Sequence, residues 1–152
     1  MVGFINRPLA ASHHTLSNIQ STGVYSINHI DASFIEQAHQ TSAKYAGTVN
    51  EFEAVGIEAE YHKDISTPFV KASKVKYALE LVEVVPIKHN NTFLVIGSIT
   101  DVLLDANVIQ PDGFLAIEDA GSLASLGADA YYTMERLVRL SYAKPGKPVD
   151  FI

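Results

Sequence analysis

The chain of 152 residues contains no cysteine. Three kinds of site are therefore excluded: a disulfide framework, a thiolate nucleophile and a zinc site built on cysteine. Two adjacent histidines, His13 and His14, point in different directions and make a poor metal site by themselves, so we expect no bound metal. A chain without thiols suits a reducing compartment, and we expect a cytoplasmic protein.

Long apolar runs and runs of basic residues are also missing. No stretch approaches the roughly 20 apolar residues that a membrane-spanning helix needs, and we expect no signal peptide, because the first residues lack a basic segment followed by a long apolar run. The 11 Lys and Arg residues are outnumbered by 17 Asp and Glu residues, which gives a formal net charge of −6. This charge argues against nucleic acid or an anionic membrane as the partner and leaves room for one local anion site.

Several catalytic motifs are absent as well. The sequence has no Gly-x-Ser-x-Gly elbow, no P-loop and no Gly-x-Gly-x-x-Gly fingerprint. Glu51 and Glu53 flank Phe52 and would not face each other on a helical turn, so we interpret them as solvated acids. Scattered histidines are more often structural or surface side chains than general bases. These histidines are His29, His39, His62 and His89.

The composition that is present is that of a folded domain. Apolar residues make up 47% of the chain and charged residues 18%, which is ordinary for a globular protein. A chain of this length buries close to 70% of the surface that it exposes when unfolded. Since no repeat or low-complexity linker interrupts it, we expect one domain over residues 1–152.

Strand patterns dominate the sequence. The apolar opening at residues 1–5 and the alternating segments 24–30 and 57–61 predict short strands. The segments 74–88 and 92–105 give the strongest signal, and His89-Asn90-Asn91 between them supplies a hairpin turn. Two long paired strands predict an antiparallel barrel or sandwich.

Helical patterns are shorter. Residues 14–22 predict a helix that buries Leu16 and Ile19 and ends at Gly23. A second helix is expected to start at a cap, Asp31 or Ser33, and to end near residues 45–47, and residues 49–55 predict one helical turn closed by Gly56. Residues 123–140 are interpreted as a Gly-interrupted, partly helical region. The last residues, 146–152, are expected to dock on a neighbour or to fray.

A polar cluster lies immediately before the first helix. It consists of Arg7, Ser12, His13, His14 and Thr15. Unpaired amides and the positive end of the dipole at a helix start suit a phosphate group, and a nearby guanidinium adds a bidentate contact. The alternative is that Ser12 or Thr15 simply caps the helix. For Tyr131-Tyr132, stacking on a flat ligand and packing at a core edge or subunit contact both stay open.

The order of these segments resembles the flavin reductase-like family, whose fold is the FMN-binding split barrel. GFINRPLAASHHTLSNIQSTGVYSIN at 3–28 resembles the strand, Arg-Pro, loop, "Thr-x-x-Asn-Ile" helix and "Val-x-x-Asn" strand of that family. TSAKYAGTVNEFEAVGIE at 41–58 is similar to its "Glu-Phe-Glu-x-x-Gly-Leu" segment. The hairpin at 69–87 and 91–105, and GADAYYTMERLVRLSYAKP at 127–145, are similar to its later elements.

The resemblance implies a mainly β protein with short helices, a split β-barrel of the FMN-binding type, shortened at its N-terminus. It also implies a homodimer with FMN at the subunit interface, and an oxidoreductase, flavin reductase-like, that takes electrons from NAD(P)H. The flavin carries the chemistry in such proteins, so the resemblance names no general acid or base. The residues that it places at the cofactor are Arg7, Ser12, His13, His14, Thr15 and Asn18.

Two departures from the family pattern leave a second hypothesis open. Family members carry further N-terminal strands, with a polar loop that lies against the flavin ring, and this chain starts at the strand after that loop. The family's "Ile-Gly-Glu-Val" segment also reads Ile96-Gly97-Ser98-Ile99 here. The alternative is therefore a shortened split-barrel module that binds or supports a partner without turnover.

Overall fold

The computed structural model describes residues 1–7 and 14–152, and it is mainly β with short helices. The elements follow one another in this order: β1 (Val2–Asn6), α1 (His14–Thr22), β2 (Val24–Asn28), α2 (Ile35–Gln40), α3 (Glu51–Val55), β3 (Ala59–His62), β4 (Ile65–Val70), β5 (Val75–Ile87), β6 (Thr92–Leu104), a 3-10 turn (Ala106–Val108), β7 (Leu123–Leu126) and β8 (Ala130–Thr133). Short pairs β3–β4 and β7–β8 accompany a four-stranded sheet.

The four-stranded sheet has the order β1-β6-β5-β2, and all its pairs are antiparallel. The hairpin of β5 and β6, predicted from their alternating patterns, is confirmed, with Asn91 in the left-handed region at its turn. The pairing shifts register at Ala78/Leu79 and again at Leu81/Glu83. Such bulges bend and twist a long hairpin, and this curvature lets the sheet wrap around α1.

Helix α1 has the bounds that its apolar spacing predicts. Leu16 and Ile19 are buried against Leu79 of β5 and Val95 of β6. Each fully buried aliphatic side chain contributes about 1.5–3 kcal/mol, so these two contacts fix the helix on the sheet. Gly23 (φ 74°) ends the helix by donating its N–H to the Ile19 carbonyl, and its own carbonyl accepts from Leu81 of β5.

Strand β4 is an element that the sequence patterns did not predict. Its Pro68 interrupts the strand pattern, and proline is tolerated only where no ladder donor is needed. Side chains of β2 bind this strand instead: the Ser26 hydroxyl donates to the Pro68 carbonyl (2.6 Å), and the Val70 N–H donates to the Asn28 side-chain oxygen (2.9 Å). Phe69 is fully buried behind them.

The predicted helix that runs to residues 45–47 is wrong in its length and cap. Helix α2 ends at Gln40, because no apolar residue continues the pattern where Thr41 and Ser42 follow. Phe34 occupies its N-cap position without a side-chain cap, and the Asp31 carboxylate accepts the Ser33 N–H in a turn before it. The turn at α3 is confirmed, with its N-terminus capped by Asn50 and its C-terminus closed by Gly56 (φ 72°).

The partly helical interpretation of residues 123–140 is also wrong. Strands β7 and β8 form a hairpin there, with Leu126 opposite Ala130 and Gly127 (φ 72°) in the turn. The glycine that interrupts the apolar pattern is a turn residue, since it occupies a conformation that other residues rarely adopt.

His29 directly follows β2 and connects it to Ser122, the residue before β7. Its Nδ1 lies 2.9 Å from the Ser122 hydroxyl, its carbonyl accepts from the Ser73 hydroxyl, and its ring packs edge-on against Tyr77. These contacts confirm His29 as a satisfied structural histidine. Burial lowers the pKa of His29 below its ordinary value, so the folded state resists its protonation.

Lowering the pH should therefore destabilise the fold through His29. The unfolded chain binds a proton near the ordinary histidine pKa and the folded chain only at lower pH, so the free energy of unfolding falls from about pH 7.5 to about pH 5.5. Urea titrations across that range should show a smaller fall for His29→Asn than for the wild type. His89→Asn, on the exposed hairpin turn, is the control, and parallel wild-type and His29→Asn profiles would contradict the assignment.

A second prediction concerns Gly97, which leaves room for Tyr25. A Cβ at Gly97 would overlap the Tyr25 hydroxyl and lie 2.8 Å from Cζ of the ring. We expect Gly97→Ala to lower the free energy of unfolding by about 1–3 kcal/mol, as overpacking does. The Tyr25 hydroxyl has no hydrogen-bond partner among the described residues, so Tyr25→Phe alone should cost little.

In the Tyr25→Phe background, the cost of Gly97→Ala should shrink, and urea denaturation of all four proteins measures this coupling. Gly3→Ala on β1 is the control, because the nearest atom to its new Cβ would be the end of the Leu94 side chain at 3.3 Å, and its other neighbours lie at ordinary contact distances. Additive losses in the double variant would show that the two residues do not compete for space.

Candidate functional site

Three of the sequence-predicted site residues lie together at the start of α1. Arg7 directly follows β1, and its carbonyl accepts a hydrogen bond (2.7 Å) from the side chain of buried Asn6. His14 and Thr15 form the first turn of α1. All three line one polar cavity of about 230 Å³. Ser12 and His13, the other members of the predicted cluster, lie outside the described residues.

Asn18 lies one turn further along α1. It lines a neighbouring cavity of about 260 Å³ together with His14, Thr15 and residues at the start of α3. Because residues three and four apart share a helix face, Asn18 extends the surface that His14 and Thr15 begin. The structure therefore brings together four of the six predicted residues.

The loop 41–47 forms the opposite wall of the polar cavity, and sequence reasoning did not find it. It brings Lys44 and Tyr45 to the site, and Gly47 lies against the ring of His14. A Cβ at Gly47 would lie 2.7 Å from Nε2 of His14. Because Gly47 has no side chain, the loop can close on the start of α1. Gly47 is therefore the residue in the sequence that could have indicated this contact.

The charge at this cavity is suited to one anion. Amides of the first helical turn have no partner inside a helix, and they stand at the positive end of its dipole. The described first turn of α1 carries no acidic side chain. Arg7 and Lys44 add two positive charges, and Glu51 is the one acidic side chain among the described lining residues. The arrangement can bind a phosphate group by hydrogen bonds and charge together.

A larger apolar cavity of about 700 Å³ adjoins the polar ones and shares Thr15 and Asn18 with them. Its walls come from β1, α1, β2 and β4, which lie far apart in the sequence. The apolar side chains that line it are Phe4, Ile19, Val24, Tyr25, Ile27 and Pro68. Local patterns predict the burial of Ile19 but not the space that these residues enclose.

Tyr131 and Glu53, two other candidates from the sequence, do not join this site. The Tyr131 hydroxyl lies 3.0 Å from Nδ1 of His39, and the two rings pack edge-on. Glu53 accepts from the Asn50 side chain at the cap of α3, away from any paired carboxylate role with Glu51. Within residues 1–7 and 14–152, no group of three or more His, Asp or Glu side chains is placed to hold a metal ion.

Comparison with known proteins gives one family. A family model described as "Flavin reductase like domain" matches residues 1–119. A split-barrel protein from Shewanella frigidimarina, assigned as a flavin reductase, is 48% identical with a TM-score of 0.87, and the match covers 93% of this chain and 70% of that protein.

Two further matches are more distant. Nitrilotriacetate monooxygenase component B from Bacillus cereus has a TM-score of 0.78 at 17% identity, over 91% of this chain and 70% of that one, and shows the same fold. An uncharacterized protein from Aquifex aeolicus is 25% identical over 111 residues, which are 71% of this chain and 57% of that protein. This chain therefore matches a little more than half the length of that relative.

None of the helices in the described residues is both long enough and apolar enough to cross a membrane. The confirmed β-rich architecture, the family match over residues 1–119 and the near relative in Shewanella agree with one another. The chain belongs to the flavin reductase-like family and has its split-barrel fold.

Proposed function

We propose that this protein binds FMN with its phosphate at the start of α1 and serves as an NAD(P)H-dependent flavin oxidoreductase. The proposal includes one domain over residues 1–152, a cytoplasmic location and a homodimer with FMN at the subunit interface. The observation that carries it is the junction at Thr15 of two cavities, one polar and one apolar. FMN has the same division between a charged phosphate and a flat, largely apolar ring.

The residues present fit the phosphate end of FMN. The Arg7 guanidinium and the Thr15 hydroxyl would donate to phosphate oxygens beside the first-turn amides of α1, and His14 and Asn18 would line the approach. Ser12 and His13 stay predicted members of this set from the sequence. The apolar cavity of about 700 Å³ has the size of ordinary small-molecule sites and would take the ring.

The protein's part in the reaction is positioning and exclusion of water. A bound flavin supplies hydride and electron transfer. The apolar walls from Phe4, Ile19 and Ile27 would keep water from its ring, while the polar cavity would fix the position of the phosphate. Under this proposal no side chain of the chain acts as a general acid or base.

A binding module without turnover is the second candidate. It is favoured by the departure at residues 96–99, where Ser98 stands in place of the Glu of the family's "Ile-Gly-Glu-Val" segment. The two candidates are separated by mixing the purified protein with FMN and either NADH or NADPH and following absorbance at the nicotinamide band. Steady consumption supports the oxidoreductase, and flavin uptake without consumption supports the module.

Replacing Arg7 or Thr15 by Ala should weaken FMN binding and leave riboflavin binding nearly unchanged. Riboflavin has no phosphate, and a hydrogen bond to a charged group contributes roughly 1.5–3 kcal/mol, which is about a ten- to hundredfold change in the dissociation constant. Fluorescence titration of both flavins measures the difference.

Lys63→Ala and Thr133→Ala, at exposed positions away from the cavities, are the matched controls and should bind both flavins like the wild type. Equal losses for FMN and riboflavin in Arg7→Ala and Thr15→Ala would mean that these residues only support the helix start.

A further inference from the structure

Strand β4 places one threonine between apolar residues on its inner face. Because side chains alternate between the two faces of a strand, Ile65, Thr67 and Phe69 share a face. Phe69 is fully buried and Thr67 is 8% exposed, while Ser66 on the opposite face is exposed. A valine would occupy nearly the same space as Thr67 without bringing a polar group into the interior. The hydroxyl of Thr67 is therefore a feature that packing does not require.

The protein leaves this hydroxyl without a partner. Among the described residues, no group forms a hydrogen bond with the Thr67 side chain. Two other hydroxyls on the wall of the apolar cavity are used by the protein: Thr22 donates to the Asn18 carbonyl (2.8 Å) and Ser26 to the Pro68 carbonyl (2.6 Å). A buried hydroxyl without a hydrogen bond lowers stability, and most buried hydroxyls in native proteins have a partner. We therefore expect the partner of Thr67 to come from outside the chain.

Open space reaches the Thr67 hydroxyl. The Tyr25 hydroxyl, which also lacks a partner, is completely covered by protein, whereas the Thr67 hydroxyl is not. Thr67 is one of the residues that line the apolar cavity of about 700 Å³. Its hydroxyl is therefore available to a group that enters this cavity.

The ring that the proposed function places in the cavity has one edge that needs hydrogen bonds. The pyrimidine part of the flavin ring carries two carbonyl groups with an N–H between them, whereas the dimethylbenzene part is apolar. A threonine hydroxyl both donates and accepts, so it can pair with either kind of group on that edge. In a mostly apolar cavity, a few placed polar groups fix the orientation of the ligand.

We propose that the Thr67 hydroxyl binds the pyrimidine edge of the flavin ring and thereby determines which way the ring lies in the apolar cavity. The inference rests on the proposed function, and it assigns a contact to the ring in addition to the contacts with the phosphate. Arg7 and Thr15 act on the phosphate, which FMN has and riboflavin lacks. Thr67 acts on the ring, which both flavins share.

Two conservative substitutions test this assignment by fluorescence titration with FMN and with riboflavin. Thr67→Val, which keeps the shape and removes the hydroxyl, should raise both dissociation constants by the same factor, about three- to tenfold, as expected for one hydrogen bond. Thr67→Ser keeps the hydroxyl and should bind both flavins within about twofold of the wild type. Thr133→Val, the same substitution at an exposed position of β8, is the matched control and should bind like the wild type.

Thermal unfolding without flavin separates a ligand contact from a structural role. Thr67→Val should be at least as stable as the wild type, because it replaces an unpartnered hydroxyl by a methyl group. The visible absorbance bands of bound flavin, which respond to hydrogen bonds at the ring, should change in Thr67→Val and stay unchanged in Thr67→Ser. A flavin-free Thr67→Val protein that is clearly less stable than the wild type would overturn the inference, since the hydroxyl would then support the fold.

The titrations also keep this inference apart from the proposed function. If the wild type binds FMN and Thr67→Val binds it equally well, the hydroxyl contacts only water and the inference alone is wrong. A loss in Thr67→Val that affects FMN and spares riboflavin would overturn it too, because the ring is common to both ligands. A wild type that takes up neither flavin would contradict the proposed function and remove the inference with it.

Discussion

The packing of α1 on the β5–β6 hairpin decides where everything else at the site lies. Leu16 and Ile19 are nearly fully buried against Leu79 and Val95, and their burial fixes the axis of the helix on the sheet. Because Gly23 ends the helix and passes the chain directly to β2, the C-terminal end is fixed too. The first turn is then directed toward Arg7 at the end of β1 and toward the loop at 41–47.

One helix thereby borders two environments of opposite character. Its first turn faces a small polar cavity with two cationic side chains, and its next turns face a large apolar cavity between β1, β2 and β4. Phosphate recognition needs donors and positive potential, whereas an aromatic ring system needs a wide apolar surface. The two requirements are met side by side, since Thr15 borders both spaces, and the family to which the chain belongs is consistent with a flavin ligand.

Elements with local signals were predictable from the sequence, and features made by distant contacts were not. The bounds of α1 follow from the spacing of Leu16 and Ile19 and from Gly23, and the long hairpin follows from alternation. Strand β4 was not predicted because Pro68 interrupts the strand pattern. The strand is held instead by hydrogen bonds from side chains of β2, which come from a distant part of the sequence. The polar cluster was visible as adjacent residues, but the wall around Gly47 and the apolar cavity arise only when separate segments meet.

The measurement that tests the central claim most directly is a crystal structure of the protein grown with FMN. The account predicts a phosphate whose oxygens lie about 2.7–3.2 Å from first-turn amides of α1 and from the Arg7 guanidinium. A flavin bound elsewhere, with those amides in contact with protein or solvent alone, would contradict it.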